Sequence, residues 1–105
     1  MADSRPISLW LTIIYMSFVY FAQSLKNQKV YVGSTEKNPD ERIKEHNKGV
    51  NKFTKENRPY KLIYYEKYLC HKDAVNREKF YKSGFGKYVK GAIIETIKNN
   101  FYLGR

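Results

Sequence analysis

Two short segments rich in bulky, β-prone residues lie close together near the start of the chain, and they constrain the fold more than any other feature. The first runs from Met16 to Ala22, and in the second, from Lys29 to Ser34, valines alternate with other residues. The linker Lys26-Asn27-Gln28 is polar, and Asn27 tolerates the left-handed backbone that a tight turn requires. We therefore predict an antiparallel β-hairpin.

The position of the turn determines which side chains of this hairpin share a face. If the turn centres between Lys26 and Asn27, even positions of the first strand face the same side as odd positions of the second. Tyr20, Tyr31 and Gly33 then lie on one face. The other face carries four apolar residues and is expected to meet the core: Val19, Phe21, Val30 and Val32.

A helix and a third strand are predicted after the hairpin. In the sequence Asn38-Pro39-Asp40-Glu41, Asn38 can cap a helix, the proline suits its first position and the glutamate completes a capping box. This helix should end near Gly49. A basic loop from Lys52 to Pro59 comes next, and residues 60–68 are rich in Tyr, Ile and Leu, which is typical of a strand.

Two helical segments are predicted to complete the chain. His71 to Lys82 is the first, with Asp73 as its expected cap and Gly84 as its stop. The second runs from Tyr88 to Lys98, where apolar residues recur at helical spacing. The element order is therefore strand, strand, helix, strand, helix, helix.

Charge and composition favour one basic, folded domain. A length of 105 residues with 42% apolar content suits a single modest core and argues against intrinsic disorder. The formal net charge is +10, and 15 of the 20 basic residues lie between Lys37 and Lys90 against seven acids. Ten tyrosines and six phenylalanines are interleaved with this charge. Such a surface suits nucleic acid, although a merely solvated lysine-rich surface is an open alternative.

The single cysteine, Cys70, excludes an internal disulfide, so a reducing cytoplasm is the expected location. One apolar run, from Ile7 to Ala22, resembles a signal-peptide core or a short membrane span. It lies at the short end of what spans a bilayer and contains two tyrosines and three hydroxyl residues. We expect a buried strand there and no membrane association, with an anchor as the alternative.

An ordered set of motifs resembles the GIY-YIG nuclease superfamily. Phe18-Val19-Tyr20 is followed, eleven residues after its tyrosine, by Tyr31-Val32-Gly33, and then by Arg42, His46 and Glu78. Further similar pieces are Gly33-Ser34-Thr35, Glu45-His46-Asn47, Leu62 to Glu66, Arg77-Glu78-Lys79 and Lys82-Ser83-Gly84. The set is similar to the small single-domain branch, which is related to the nuclease half of an excision-repair subunit.

This resemblance implies an α+β fold with a small three-stranded antiparallel sheet flanked by helices. It also implies a metal-dependent endonuclease that uses Mg²⁺ or Mn²⁺ and acts on nucleic acid, with DNA the expected partner. Residues 16–100 would form the nuclease domain, residues 1–15 an amino-terminal extension and residues 101–105 a tail. The oligomeric state is left open.

Phosphodiester hydrolysis requires a base, charge stabilisation in the transition state and help for the leaving oxygen. A phenol is a poor base unless cations favour its ionised form, and the resemblance favours Tyr20 over Tyr31 for this role. Both could instead be ordinary strand tyrosines. Arg42 offers a planar charged fork for phosphate, or it could pair with Glu45 or Glu41 on its own helix.

The resemblance assigns two further site residues. His46 lies one turn after Arg42 and would hydrogen-bond a tyrosine or relay a proton, unless it is a satisfied or exposed histidine. Glu78 would be the sole protein ligand of the catalytic metal, because a lone carboxylate with several waters suits Mg²⁺; otherwise it is a solvated charge. Nucleic-acid contacts are expected from six other residues: Gly33, Ser34, Thr35, Lys52, Lys55 and Arg58.

The chain departs from the superfamily pattern at three places. Phe18 occupies the glycine position of the first motif, Gln28 replaces a glycine expected in the hairpin turn, and the late asparagine of the family has no secure counterpart. A basic nucleic-acid-binding module without catalytic activity is therefore the alternative function.

Overall fold

The computed structural model describes residues 16–49 and 52–103, and this part of the chain forms a three-stranded antiparallel sheet flanked by helices. The strands are β1 (Ser17–Ser24), β2 (Val30–Thr35) and β3 (Tyr60–Tyr68), in the spatial order β2-β1-β3. The helices are α1 (Pro39–Asn47), α2 (Lys52–Lys55), α3 (His71–Lys82) and α4 (Gly84–Leu103). The predicted α+β fold is confirmed.

The register of the hairpin agrees with the prediction from the turn. Tyr20 pairs with Gly33 and Ala22 pairs with Tyr31, so these residues share one face of the sheet. The left-handed turn residue is Gln28, with φ 63°, and not Asn27 as the sequence suggested. Asn27 stabilises the turn through its side chain, because its Oδ1 accepts a hydrogen bond from the Lys29 amide at 3.0 Å.

The two faces of the sheet pack against different helices. Val19, Phe21 and Val32 form the core with Ala74 and Tyr81 of α3, and apolar residues of α4 pack against this cluster. On the opposite face, the side chains that pack together come from all three strands and α1: Tyr20, Ala22, Tyr31, Ile43, Tyr60 and Leu62. The central strand β1 is thus covered on both sides, which explains the uninterrupted apolar run around Val19.

Helix α1 begins and ends as its sequence predicts. Asn38 is the N-cap, its Oδ1 accepts a hydrogen bond from the Asp40 amide at 2.8 Å, and Pro39 occupies the first turn. Gly49 follows the helix with φ 83°, a conformation that favours glycine.

Three details of the predicted elements are wrong. The region from Lys52 to Pro59 is not entirely a loop, because its first four residues form α2. The N-cap position of α3 is Cys70, whose side chain makes no capping hydrogen bond, and Asp73 lies in the first turn. Gly84 begins α4 and does not end the preceding helix.

The corner between α3 and α4 depends on Ser83. Its hydroxyl donates to the Phe80 carbonyl at 2.6 Å and accepts from the Gly86 amide at 3.3 Å, so one residue ends α3 and caps α4. Because Ser83 caps it, helix α4 begins at Gly84, earlier than the predicted Tyr88. It also continues past the predicted end at Lys98, to Leu103.

The apolar run at the amino end is only partly described. Its residues from Ser17 onward belong to β1, and the part from Ile7 to Tyr15 lies outside the described residues. Across residues 16–49 and 52–103, the helices are too short or too polar to cross a membrane.

A carboxylate network joins β3 to α3 on the core side of the sheet. Glu66 accepts hydrogen bonds from Tyr64 and Tyr68, each at 2.7 Å, from Tyr81, and from Arg77 Nε at 3.3 Å. Burial acts to raise the pKa of Glu66, but these hydrogen bonds and the charge of Arg77 hold that pKa below its ordinary value. The network therefore favours the charged carboxylate and ties α3 to the sheet.

Replacing Glu66 with Gln should lower the free energy of unfolding by about 2 to 3 kcal/mol, because charged hydrogen-bond acceptors are worth more than neutral ones. Urea unfolding followed by circular dichroism would measure the change. The matched control is Glu95→Gln on the exposed side of α4, for which we expect a change within about 0.5 kcal/mol. Equal stability of Glu66→Gln and the wild type would contradict a stabilising role of this network.

Candidate active site

A buried tyrosine lies at the centre of the site because its neighbour on β2 is a glycine. Tyr20 is 1% exposed, and its ring crosses the backbone of Gly33. A Cβ atom at position 33 would stand 2.6 Å from Tyr20 Cζ, closer than any normal contact. The glycine of the second motif therefore serves to admit the tyrosine of the first.

A hydrogen-bonded chain leads from this tyrosine into the protein. The hydroxyl of Tyr20 lies 2.7 Å from His46 Nε2, and His46 Nδ1 lies 2.6 Å from Thr54 Oγ1. Both His46 and Thr54 are fully buried. The histidine thus stands between two hydroxyl groups, one from the sheet and one from α2.

The ionisation of both rings follows from burial. Burial, followed by the positive charge of Arg42, lowers the pKa of His46 to about 4, so the imidazole is neutral at pH 7. Burial also raises the pKa of Tyr20, and Tyr31 and Glu78 add to this rise while Arg42 opposes it. The simplest proton arrangement consistent with these shifts is a neutral phenol that donates to Nε2, with the Nδ1 proton on the Thr54 side.

Arg42 reaches the site from α1, and a neighbouring carboxylate holds it. Its Nη1 donates to Glu45 Oε1 at 2.7 Å, and the other Glu45 oxygen bonds Lys37. The pairing with Glu45 that the sequence left as an alternative is therefore present. Arg42 also interacts electrostatically with Tyr20, since its positive charge acts to lower the pKa of that phenol. The Arg42 side chain is 23% exposed, so it remains partly open to a ligand.

Arg42 forms part of the wall of an open cleft of about 390 Å³. The cleft contains cationic and hydroxyl groups that suit a phosphate, together with two carboxylates. Its lining residues are Ser34, Thr35, Glu36, Lys37, Arg42, Glu45 and His71.

Glu78 approaches the same region from α3. One of its oxygens accepts a hydrogen bond from Ser34 Oγ at 2.6 Å, and the other accepts from Lys82 Nζ at 2.5 Å. Its negative charge reaches Tyr20, because it contributes to the raised pKa of that phenol. The structure therefore brings Glu78 to β2, the edge strand against which Tyr20 packs.

Tyr31 completes the wall between these groups. Its ring centroid lies 6.3 Å from that of Tyr20 and 5.2 Å from that of His46, and Lys82 Nζ stands 5.6 Å above its ring. Tyr31 is more exposed than Tyr20 and thus faces the outside of the site.

The residues expected to contact nucleic acid occupy two places. Gly33, Ser34 and Thr35 follow Tyr31 along β2 and adjoin the site, with Thr35 Oγ1 accepting from the Lys37 amide at 3.0 Å. The three basic residues Lys52, Lys55 and Arg58 are exposed and surround α2, which lies behind His46.

Sequence reasoning missed two contributors to this site. Thr54 bonds His46, yet it lies in a region predicted as a basic loop and carries no recognisable motif. Lys82 bonds the candidate metal ligand, and its spacing of four residues from Glu78 on a helix could have indicated this pair.

The donor atoms suit one hard cation held by few protein ligands. Within residues 16–49 and 52–103, no group of three or more His, Cys, Asp or Glu side chains converges on a point. Glu78 is a single carboxylate that already pairs with the ammonium group of Lys82, and its side chain is 20% exposed. Such a site fits Mg²⁺ or Mn²⁺, which readily retain waters and share their coordination with substrate phosphate.

Comparison with known proteins gives the class to which this fold and site belong. Residues 16–91 match the GIY-YIG catalytic domain, so the chain belongs to the GIY-YIG nuclease superfamily. A UPF0213 protein of Clostridium perfringens (strain 13 / Type A) is 37% identical over 68 residues, which cover 64% of this chain and 71% of the relative. No solved structure matches significantly.

The buried histidine should make the stability of the protein depend on pH. The pKa of His46 is about 4 in the folded chain against an ordinary 6.5, so the unfolded chain binds the proton first as the pH falls. The contribution of His46 to stability is thus complete above pH 6.5 and is lost between pH 6.5 and about 4, by up to roughly 3 kcal/mol. Urea unfolding at several pH values would measure it.

The variant His46→Gln should flatten this part of the pH profile. His71→Gln is the matched control, because that side chain is 50% exposed. An unchanged slope between pH 4 and 6.5 in His46→Gln would contradict the neutral, buried state of this histidine.

Proposed function

We propose that this protein is a metal-dependent endonuclease that hydrolyses phosphodiester bonds in DNA. The observation that carries the proposal is the hydrogen bond between Tyr20 and His46 beside the guanidinium of Arg42. A phenol, a neutral imidazole and a fixed cation at one point supply a proton path and charge stabilisation. The membership of the chain in a nuclease superfamily supports the same conclusion.

In the proposed reaction Tyr20 acts as a proton relay in the role of general base. Its raised pKa disfavours a free phenolate in the resting protein. The phenol instead accepts a proton from the attacking water while it passes its own proton to His46 Nε2. The water oxygen forms a bond to phosphorus, the bond from phosphorus to the 3′-oxygen breaks, and that oxygen takes a proton from solvent. The imidazolium then returns its proton to the phenol oxygen while the phenol releases its other proton to solvent, which restores the neutral pair.

Arg42 is proposed to stabilise the negative charge that develops on the phosphate oxygens. Glu45 holds one side of the guanidinium, so the fork is oriented before substrate arrives. The open cleft beside Arg42 gives the phosphate access to it.

Glu78 is proposed to hold the metal ion. A divalent cation bound there would supply positive charge to the scissile phosphate and favour ionisation of nearby groups. The carboxylate bonds Ser34, the neighbour of the Gly33 that Tyr20 contacts, and its charge acts on the phenol, which supports this role. With a single protein carboxylate, the affinity for metal should be low until substrate phosphate contributes ligands.

Two observations favour a module that binds nucleic acid without cutting it as the second candidate. Tyr20 is almost fully shielded from solvent, and both oxygens of Glu78 are already engaged. A catalytic role requires that substrate or metal displace Lys82 from Glu78, whereas a binding role does not.

Substitutions at Glu78 and Arg42 should separate binding from cleavage. Glu78→Gln removes the charge that a cation needs, so cleavage should collapse while binding without metal persists or strengthens. Arg42→Ala removes a donor to the transition state and should reduce the rate by about 10² to 10³. Labelled linear, nicked and branched DNA, incubated with Mg²⁺, Mn²⁺ or chelator, provides the measurement.

The matched controls are Glu95→Gln and Lys44→Ala, which remove the same charges from exposed positions on α4 and α1. Both should cut like the wild type. All variants should melt near the wild-type temperature. The endonuclease assignment would be wrong if the wild type cuts none of these substrates, and the metal assignment would be wrong if Glu78→Gln retains full activity.

The two tyrosines provide a second, paired test. Tyr20→Phe interrupts the path to His46 and should reduce cleavage by about 10² to 10⁴, the usual contribution of general acid–base catalysis. Tyr31→Phe keeps the ring that packs against His46, so it should retain most of the activity. Single-turnover rates with saturating protein would measure both effects. A larger loss in Tyr31→Phe than in Tyr20→Phe would reverse the assignment of the relay.

A further inference from the structure

The corner between α3 and α4 is the most one-sidedly charged part of the described chain. We define the α3–α4 corner as residues 79–90, which contain four lysines and no acidic residue: Lys79, Lys82, Lys87 and Lys90. None of these lysines belongs to the basic region around α2. The proposed reaction also leaves this corner without a role, apart from the contact between Lys82 and Glu78.

Two lysines of the corner extend to β2, the outer strand that carries Tyr31. Lys82 places its ammonium group 5.6 Å above the Tyr31 ring. Lys90 donates to the carbonyl of Val30, the neighbour of Tyr31, at 3.5 Å. The lysines therefore connect α3 and α4 to the edge of the sheet directly beside the candidate active site.

The ammonium groups of this corner are close enough to repel one another. The pKa of Lys90 is lowered, first by its burial and then by the charges of Lys87 and Lys82. Gathering like charges in this way costs free energy in the free protein. A polyanion bound across them would relieve that repulsion and release counterions.

Two aromatic rings on the first turn and a half of α4 are unusually open. Phe85 is 72% exposed and Tyr88 is 80% exposed, although the ring of Phe85 also touches Phe80, with centroids 6.2 Å apart. Open rings beside cationic side chains are the usual means of holding a single nucleic-acid strand, because every base has a face that can stack. Paired bases of an intact duplex offer no such face.

We propose that the α3–α4 corner binds a single strand of nucleic acid that leaves the active site, with Lys87 and Lys90 on its phosphates and Tyr88 stacked on an unpaired base. The inference rests on the proposed function, because only that function places the start of the bound strand at the active site. It defines the substrate class as nucleic acid with unpaired nucleotides beside the cut. An acidic protein would satisfy the lysines but not the open rings. A second copy of this chain would place its own lysines against those of the corner, and these like charges would repel one another.

Binding of a fluorescent single-stranded oligonucleotide and of a matched intact duplex, measured by anisotropy without metal, tests the proposal apart from catalysis. Lys87→Met and Lys90→Met should each weaken single-strand binding and reduce the slope of log affinity against log salt by about 0.7. Lys98→Met, at the far end of the same helix, is the matched control and should leave that slope unchanged. Melting curves establish that each variant is folded.

Tyr88→Ala should weaken single-strand binding by about five- to one-hundred-fold, the usual range for loss of one stacked base. It should leave duplex binding unchanged, and Tyr88→Phe should restore single-strand affinity because the ring is retained. Sedimentation velocity of the wild type and Tyr88→Ala accompanies these titrations.

Salt slopes of Lys87→Met and Lys90→Met that equal the wild-type slope would overturn the proposal. So would a Tyr88→Ala variant that loses self-association but binds the single strand normally, because the corner would then be an interface between copies. A wild type that binds the strand through these residues yet cuts no substrate would overturn the endonuclease function and leave this site standing.

Discussion

The close approach of Tyr20 to Gly33 is the contact on which the site depends. Any side chain at position 33 would collide with the phenol ring and displace it from the face of β2. Because the ring packs closely against Gly33, its hydroxyl reaches His46 on α1 at 2.7 Å. The pairing of β1 with β2 therefore determines the position of the hydroxyl as well as the stability of the sheet.

Burial of this pair determines its chemistry. A phenol and an imidazole that are both removed from water prefer their neutral forms, so neither carries charge at rest. A proton can then move along the hydrogen bond between them without a charged intermediate on the tyrosine. Arg42 is the fixed positive charge beside them, and Glu45 restrains it.

The opposite face of the sheet contributes through the orientation of α3. Glu66 binds Arg77 and Tyr81 of that helix, and Glu78, the next residue after Arg77, turns toward β2 and meets Ser34. Rotating α3 would move the carboxylate away from the strand. The Glu66 network and the candidate metal ligand thus both depend on the orientation of α3, and the lysines of the α3–α4 corner follow at the end of the same helix.

Local patterns in the sequence determined the hairpin register, the start of α1, the extent of β3 and α3, and the membership of the chain in a nuclease superfamily. Each of these depends on neighbouring residues, such as Asn38 at a helix start or the position of the turn between β1 and β2. The sequence pattern favours Asn27 for the left-handed position, but Gln28 occupies it, and the Asn27 side chain accepts a hydrogen bond from the Lys29 amide in the turn. Tertiary structure alone decided that Thr54 meets His46. It also brought Lys82 and Lys90 to the edge of β2, because such contacts join residues far apart in the chain and arise only when helices pack on the sheet.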